Sequence, residues 1–192
     1  MLTIFAARRI VPEKEGNGLA MNQQTSNGET QRYVLAVLVD NHAGVLSRVS
    51  GLFSRRGFNI DSLTVGETHS NTQSRMTIVV SGDEHVLEQI TKQLAKLVEV
   101  LSIEHCLRDD TVVRELALIK VSADSVTRHS IIEAANIYRA RIIDVSLDSV
   151  IVEATGSEDK IESLIRFLEP LGIRELVRTG LTAMQRGGKI LA

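Results

Sequence analysis

The chain has 192 residues, of which 43% are hydrophobic and 24% are charged, a balance typical of folded globular proteins. Its 22 basic and 24 acidic residues give a net charge of −2, which argues against nucleic acid or a membrane surface as the partner. Four Phe, two Tyr and no Trp leave few rings to stack on bases. The single cysteine, Cys106, excludes an internal disulfide, and we expect a reducing, cytoplasmic location.

Residues 1–31 form the first segment, and we expect them to be a flexible extension, with Met1 or Met21 as the start. Beyond the first ten residues this segment is rich in Gly, Asn, Gln, Ser and Thr and shows no periodic pattern. The apolar residues at its start precede Arg8 and Arg9, which is the reverse of the order in a secretory signal. No run reaches the ~18 apolar residues of a membrane helix.

The sequence of residues 32–108 predicts six elements, in the order strand, helix, strand, strand, helix and strand. Apolar runs indicate strands over residues 33–39, 58–65, 76–80 and 100–107. Helical spacing of apolar residues indicates one helix from Val45 that ends at Gly57, and a second that Asp83 caps and that reaches Leu97.

Residues 109–192 predict the same order again, with a seam at residues 108–110 and a short, flexible tail. Strands are indicated over residues 115–121, 141–147, 150–154 and 173–179. One helix contains Ile131 and Ala135, and a second begins after the capping residue Ser157.

The repeated order is the βαββαβ pattern of ferredoxin-like units, so the predicted class is α+β with two such units. Two helices cover one face of each sheet. Because the strands are apolar, we expect the sheet to pair with a second protomer, either edge to edge through its strands or face to face through the uncovered side. A homodimer is the simplest closed assembly of this kind.

Motifs for catalysis are missing. The sequence contains no HExxH, GxSxG or GxxxxGK string, and Cys106 lies in an apolar strand as expected of a buried structural thiol. We therefore predict no catalytic residue, no metal site and no cofactor in this chain.

One loop looks suited to a ligand. Residues 40–46 join a strand to a helix N-terminus, where unpaired N–H groups attract carboxylates and phosphates. Gly44 allows close approach to the backbone, and Asn41 offers a donor and an acceptor. The alternative is that Asn41 caps the helix and Gly44 only shapes the turn.

A second polar position begins the second predicted strand, at an edge of the sheet. Asn59 supplies another polar group and Ile60 an apolar wall, and across a dimer axis both can face the partner's first loop. A carboxylate site, amide oxygens and an aliphatic wall together suit a small apolar amino acid.

Several strings carry a family resemblance: DNHAGVLSRV at residues 40–49, GLFSRRGFNIDSLTV at 51–65, SRMTI at 74–78, QITKQLAKLV at 89–98 and RELALIK at 114–120. In these strings the chain resembles the small regulatory subunits of acetolactate synthase, whose N-terminal unit is an ACT domain. The resemblance covers residues 32–190 and leaves the long extension unmatched.

The resemblance implies a non-catalytic subunit that binds and activates a catalytic large subunit, which uses thiamine diphosphate, magnesium and FAD. It implies feedback inhibition by branched-chain amino acids, with valine first, in valine, leucine and isoleucine biosynthesis. The implied effector site joins two ACT domains: Asn41, Gly44, Val45 and Leu46 from one protomer, and Asn59 and Ile60 from the other.

Other classes stay open as alternatives. The chain could be a stand-alone amino-acid-binding ACT regulator of another enzyme or of transcription, although residues 1–31 show no helix-turn-helix pattern. An acylphosphatase-like enzyme would need an Arg in the first loop, and residues 40–46 contain none.

Overall fold

The computed structural model describes residues 31–107 and 109–191, so the predicted extension lies outside the described residues except for Gln31. Internal contacts divide the chain into two compact units. Of the described residues, the first unit contains those up to Asp110 together with 185–191, and the second is Thr111–Met184. The domain ranges 32–108 and 109–192 that the sequence suggests stay predictions.

The first unit follows the predicted order. Its elements are β1 (Gln31–Asp40), α1 (Val45–Arg56), β2 (Ser62–Glu67), β3 (Gln73–Gly82), α2 (Glu84–Leu94) and β4 (Val100–His105). The strands form an antiparallel sheet in the order β2-β3-β1-β4, which makes β2 and β4 the outer strands.

The core of the first unit lies between the helices and one face of the sheet. Alternate residues of β1 point to this face because successive side chains of a strand point to opposite sides. Leu35, Val37 and Val39 are fully buried there with Val49 and Phe53 of α1.

Backbone conformation sets the ends of α1. Gly44 has φ +92° and precedes the helix, and Gly57 has φ +71° and follows it; both values are in the left-handed region that favours glycine. The predicted stop at Gly57 is confirmed. The cap of α2 is also confirmed, since the Asp83 carboxylate accepts the N–H of Val86 at 2.8 Å.

The second unit repeats the order and adds a strand. Its elements are β5 (Thr111–Ser122), α3 (Thr127–Ile137), β6 (Arg141–Val145), β7 (Ser149–Gly156), α4 (Glu158–Leu168), a 3-10 turn (Glu169–Leu171), β8 (Ile173–Arg178) and β9 (Thr182–Gln185), whose last residue is assigned to the first unit. Within the described part of the chain its sheet has the order β6-β7-β5-β8, and β9 also pairs with β5. The side chain of Ser157 caps α4 as predicted.

Several predicted boundaries are wrong. The strand β2 begins at Ser62 rather than at residue 58, because the Phe58 N–H donates to the Phe53 carbonyl (3.0 Å) and completes the end of α1. The helix α2 ends at Leu94, not Leu97. The strands β4 and β6 end two residues early, at His105 and Val145.

The sequence analysis missed β9, which lies in the segment after the last predicted strand. Ala183 of this short strand is 1% exposed, so the strand is packed rather than loose. Cys106 is buried, as predicted, and forms no disulfide. Among the helices of the described residues, none has the length and hydrophobicity needed to span a bilayer.

Candidate functional site

The loop between β1 and α1 leaves the start of the helix open. No side chain caps α1, and its first turn contains no acidic residue. The backbone N–H groups of Leu46 and Ser47 have no hydrogen-bond partner among the described residues. Because such N–H groups carry the positive end of the helix dipole, they are suited to receive an anionic group.

Gly44 keeps this helix end accessible. A Cβ added at Gly44 would meet no atom within 4 Å, so the space beside the backbone is open. Residues 41–44 are all exposed. The loop can therefore accept a ligand directly against its main chain.

Asn41 does not cap α1, so that part of the alternative is wrong. Its side-chain amide donates instead to Glu67 Oε1 (2.8 Å) and to the Asn71 carbonyl (2.9 Å), and its own N–H donates to the Thr72 carbonyl (2.8 Å). These bonds tie the loop to the hairpin between β2 and β3. They leave the Asn41 Oδ1 atom as an available acceptor.

The next two predicted residues differ in burial. The side chain of Val45 lies in the hydrophobic core and is 3% exposed, so only its backbone could reach a ligand. Leu46 is 45% exposed and presents apolar surface beside the open N–H groups.

Asn59 and Ile60 lie before β2, at the other end of the sheet from the loop. The Asn59 amide donates to Asp61 Oδ1 (2.7 Å), and Ile60 packs against the core of its own unit. From Ser62 to Glu67 the strand rises about 17 Å, at roughly 3.4 Å per residue. One chain thus brings Asn41, Gly44, Val45 and Leu46 together but does not bring Asn59 or Ile60 to them.

In the second unit, the side chain of Asp124 in the equivalent loop occupies the start of the helix. Asp124 Oδ1 accepts the N–H groups of Thr127 (2.7 Å) and Val126 (2.9 Å) and the Thr127 hydroxyl (2.8 Å). These hydrogen bonds, with the Thr127 N–H contributing most, lower the pKa of Asp124 below its ordinary value. The position that is open in α1 is therefore filled by a carboxylate in α3.

A surface cavity of about 320 Å³ lies beside that closed loop. Its lining residues are Ser122, Ala123, Asp124, Thr127, Leu147, Asp148, Leu171 and Arg174. The Arg174 guanidinium donates to Asp148 Oδ2 (2.7 Å) and to Ser122 Oγ (2.9 Å), and the bond from Arg174 lowers the pKa of Asp148. Arg174 thus pairs with Asp148, and Asp124 is already bonded to Thr127 and Val126.

Sequence reasoning missed Glu67, which the fold brings to the loop, and the N–H group of Ser47. Glu67 is 26 residues from Asn41 in the chain, and only the strand register places them together. Residues 31–107 and 109–191 hold no cluster of three His, Cys, Asp or Glu side chains that could bind a metal ion.

Both units match known families. Residues 35–102 match the family described as AHAS small subunit-like ACT domain, and residues 114–187 match the small subunit of acetolactate synthase. The chain is 56% identical over 162 residues to the acetolactate synthase small subunit of Mycolicibacterium smegmatis, covering 84% of this chain and 95% of that protein. It is 54% identical over 158 residues to a probable acetolactate synthase small subunit of Archaeoglobus fulgidus, covering 82% and 99%.

A solved structure agrees with these sequence matches. The crystal structure of the acetolactate synthase small subunit from Thermotoga maritima has a TM-score of 0.77 and 42% identity, and covers 83% of this chain and 99% of that one. The fold and the family match together place this chain in the ACT-domain class of proteins. The chain belongs to the acetolactate synthase small subunit family. The predicted resemblance and the predicted fold class are both confirmed.

Proposed function

We propose that this chain is the regulatory subunit of an acetolactate synthase and works in the cytoplasm as a homodimer. In this proposal it binds the catalytic large subunit and raises its activity. A branched-chain amino acid, most of all valine, binds to this chain and thereby inhibits the enzyme that the two subunits form. The thiamine diphosphate, magnesium and FAD of the reaction belong to the large subunit. This chain supplies no catalytic residue.

The open start of α1 is the observation that carries the proposal. A bound amino acid would place its carboxylate against the N–H groups of Leu46 and Ser47, where the helix dipole favours a negative group. The exposed side chain of Leu46 offers apolar surface for the aliphatic part of the ligand. In the second unit the Asp124 carboxylate occupies the corresponding position. We therefore expect each chain to bind the effector at one loop only, residues 40–46, which we call the effector loop.

A second copy of the chain would complete the site. β2 is an outer strand, and pairing with β2 of a partner about a twofold axis would make the two strands antiparallel. The start of one strand would then lie beside the end of the other. Asn59 and Ile60 of one protomer would thereby approach Asn41 and Gly44 of the other, which a single chain keeps apart.

Regulation would follow from this split site. A ligand held between two protomers stabilises the arrangement of the dimer that binds it more tightly. The ligand can shift the dimer between its two arrangements only as far as its affinities for them differ, and this shift sets the change in activity of the large subunit.

Calorimetric titration with L-valine tests the ligand. We expect Gly44→Asp to abolish binding because its carboxylate would repel the ligand carboxylate. Gly44→Asn is the matched control: it has nearly the same shape and the same strain at φ +92°, but no charge, so it should bind more tightly than the Asp variant. Undiminished binding by Gly44→Asp would contradict the site.

Co-purification tests the partner. The tagged full chain should capture the acetolactate synthase large subunit, and adding the chain to the purified large subunit should raise activity and make it valine-sensitive. If the chain binds valine but captures no large subunit, the function as a stand-alone ACT regulator is favoured instead.

A further inference from the structure

We propose that Glu67 determines the ligand class of the effector loop by supplying the negative charge that receives an α-ammonium group. The inference rests on the proposed function. It predicts that the site distinguishes an α-amino acid from the 2-oxo acid that has the same side chain.

The position of Glu67 follows from the strand register. Glu67 pairs with Ser74, and Ser74 pairs with Val39, whose side chain lies in the core beneath the helices. Paired residues share a face of the sheet, so Glu67 stands on the face that carries α1. It also ends β2 at the end of the sheet where β1 leads into α1.

A direct hydrogen bond links Glu67 to the loop. Its Oε1 atom accepts from Asn41 Nδ2 at 2.8 Å, and the same amide donates to the Asn71 carbonyl at 2.9 Å. Both partners are pure acceptors, so the nitrogen of Asn41 must face them and Oδ1 must face away. Asn41 Oδ1 and the Glu67 carboxylate can both accept a hydrogen bond from an ammonium group. The hydrogen bond between the two side chains holds these acceptors next to each other.

The charge of Glu67 is not neutralised by a described cation. Within residues 31–107 and 109–191 it forms no ion pair, and its Oε2 atom accepts no hydrogen bond. Glu99, another acidic residue near the loop, is already paired with Arg48. Asp40 follows Val39 on the strand, so its side chain points to the opposite face of the sheet from α1.

Apolar surface accompanies this charge. Val65 lies two residues before Glu67, on the same face of β2, and is 41% exposed. An amino acid with its carboxylate on α1 and its ammonium group on Glu67 would find Val65 and Leu46 as aliphatic neighbours. A 2-oxo acid would present a carbonyl oxygen to the Glu67 carboxylate, and this contact is repulsive.

Titration of the full chain with L-valine and with 3-methyl-2-oxobutanoate tests the inference. The key variant is Glu67→Gln, which keeps one oxygen to accept the Asn41 amide and loses the negative charge together with the second acceptor oxygen. We expect the Kd for valine to rise about 10-fold, as for loss of a charge-assisted hydrogen bond, while binding of the 2-oxo acid stays equal or tightens. Glu88→Gln, on α2, is the control for the loss of one exposed carboxylate.

Three results would overturn the inference. The Kd for valine could stay within twofold in Glu67→Gln, both ligands could weaken equally, or Asp40→Asn could give the same loss as Glu67→Gln. If the unmodified chain binds none of valine, leucine and isoleucine, the proposed function fails, and the inference fails with it. If the unmodified chain binds one of these amino acids, an unchanged Kd in Glu67→Gln contradicts the inference alone and leaves the proposed function intact.

Discussion

Arg48, in the first turn of α1, forms an ion pair with Glu99, which lies just before β4. The backbone carbonyl of Glu99 also accepts the N–H of Asp40 at 2.9 Å. One residue therefore holds both ends of the loop between β1 and α1, the end of β1 through its main chain and the start of α1 through its side chain. The two partners differ in exposure, since the Arg48 side chain is 64% exposed and that of Glu99 is 11% exposed.

This difference predicts unequal effects of breaking the pair. Arg48→Met leaves a buried carboxylate without its charged partner, and we expect the free energy of unfolding to fall by about 1–3 kcal/mol. Glu99→Gln leaves a solvated arginine and should cost less than about 1 kcal/mol. Urea denaturation of both variants measures the difference. Equal losses, or a larger loss for Glu99→Gln, would contradict this account of the loop.

Asn59 provides a test of the second half of the site. Its amide is held by Asp61, whose other oxygen accepts the Ser81 hydroxyl at 2.5 Å. We expect Asn59→Ala to weaken valine binding in calorimetry and to leave the dimer intact in sedimentation, because the side chain is exposed and outside β2.

The control for Asn59→Ala is Ser81→Ala, which removes the other hydrogen bond of Asp61 but keeps the Asn59 amide. This variant should bind valine as the unmodified chain does. Dissociation of the Asn59→Ala dimer would instead show that Asn59 is a structural residue of the interface.

Local patterns were sufficient to predict most of the fold. Apolar runs located the strands, and helical spacing located the helices. The helix ends at Gly57, Asp83 and Ser157 were predicted because a single residue type determines each of them. The repetition of the element order then indicated two ferredoxin-like units.

The errors arise where hydrogen bonds that the apolar pattern does not encode decide the conformation. Phe58 and Ile60 have the alternation of a strand, yet they pack as loop residues because the Phe58 N–H completes the end of α1. The strand β9 has only four residues and depends on pairing with β5. Glu67 meets Asn41 only through the registers of β1, β3 and β2, so no local motif could reveal it.

A buried carboxylate in the second unit gives a stability prediction. Arg178 donates to both oxygens of Glu115, each at 2.7 Å, and also pairs with Glu162. The Glu115 side chain is 2% exposed, and the hydrogen bonds from Arg178 to Glu115 contribute most to raising the pKa of Arg178. We expect Arg178→Met to lower the free energy of unfolding by about 3–5 kcal/mol, because it leaves a buried charge unpaired.

The double variant Arg178→Met with Glu115→Gln is the matched comparison for this cluster. It removes the buried charge along with its partner, so it should recover part of the stability lost in Arg178→Met. Chemical denaturation of the two variants and the unmodified chain measures the recovery. No recovery would mean that the apolar part of Arg178, rather than its charge, stabilises the unit.

Asp124 predicts how the stability of the second unit depends on pH. Hydrogen bonds from Thr127 and Val126 lower its pKa in the folded chain, so the unfolded chain binds the proton at higher pH. The stabilisation is complete above the unfolded pKa, near about 4, and is lost as the pH falls through the lower folded pKa. In calorimetric unfolding between pH 7 and pH 2.5, the Tm deficit of Asp124→Asn should therefore be largest at pH 7 and shrink in acid. Glu133→Gln, on the exposed side of α3, controls for the loss of one charge, and a deficit that does not change with pH would contradict the role of the Asp124 carboxylate.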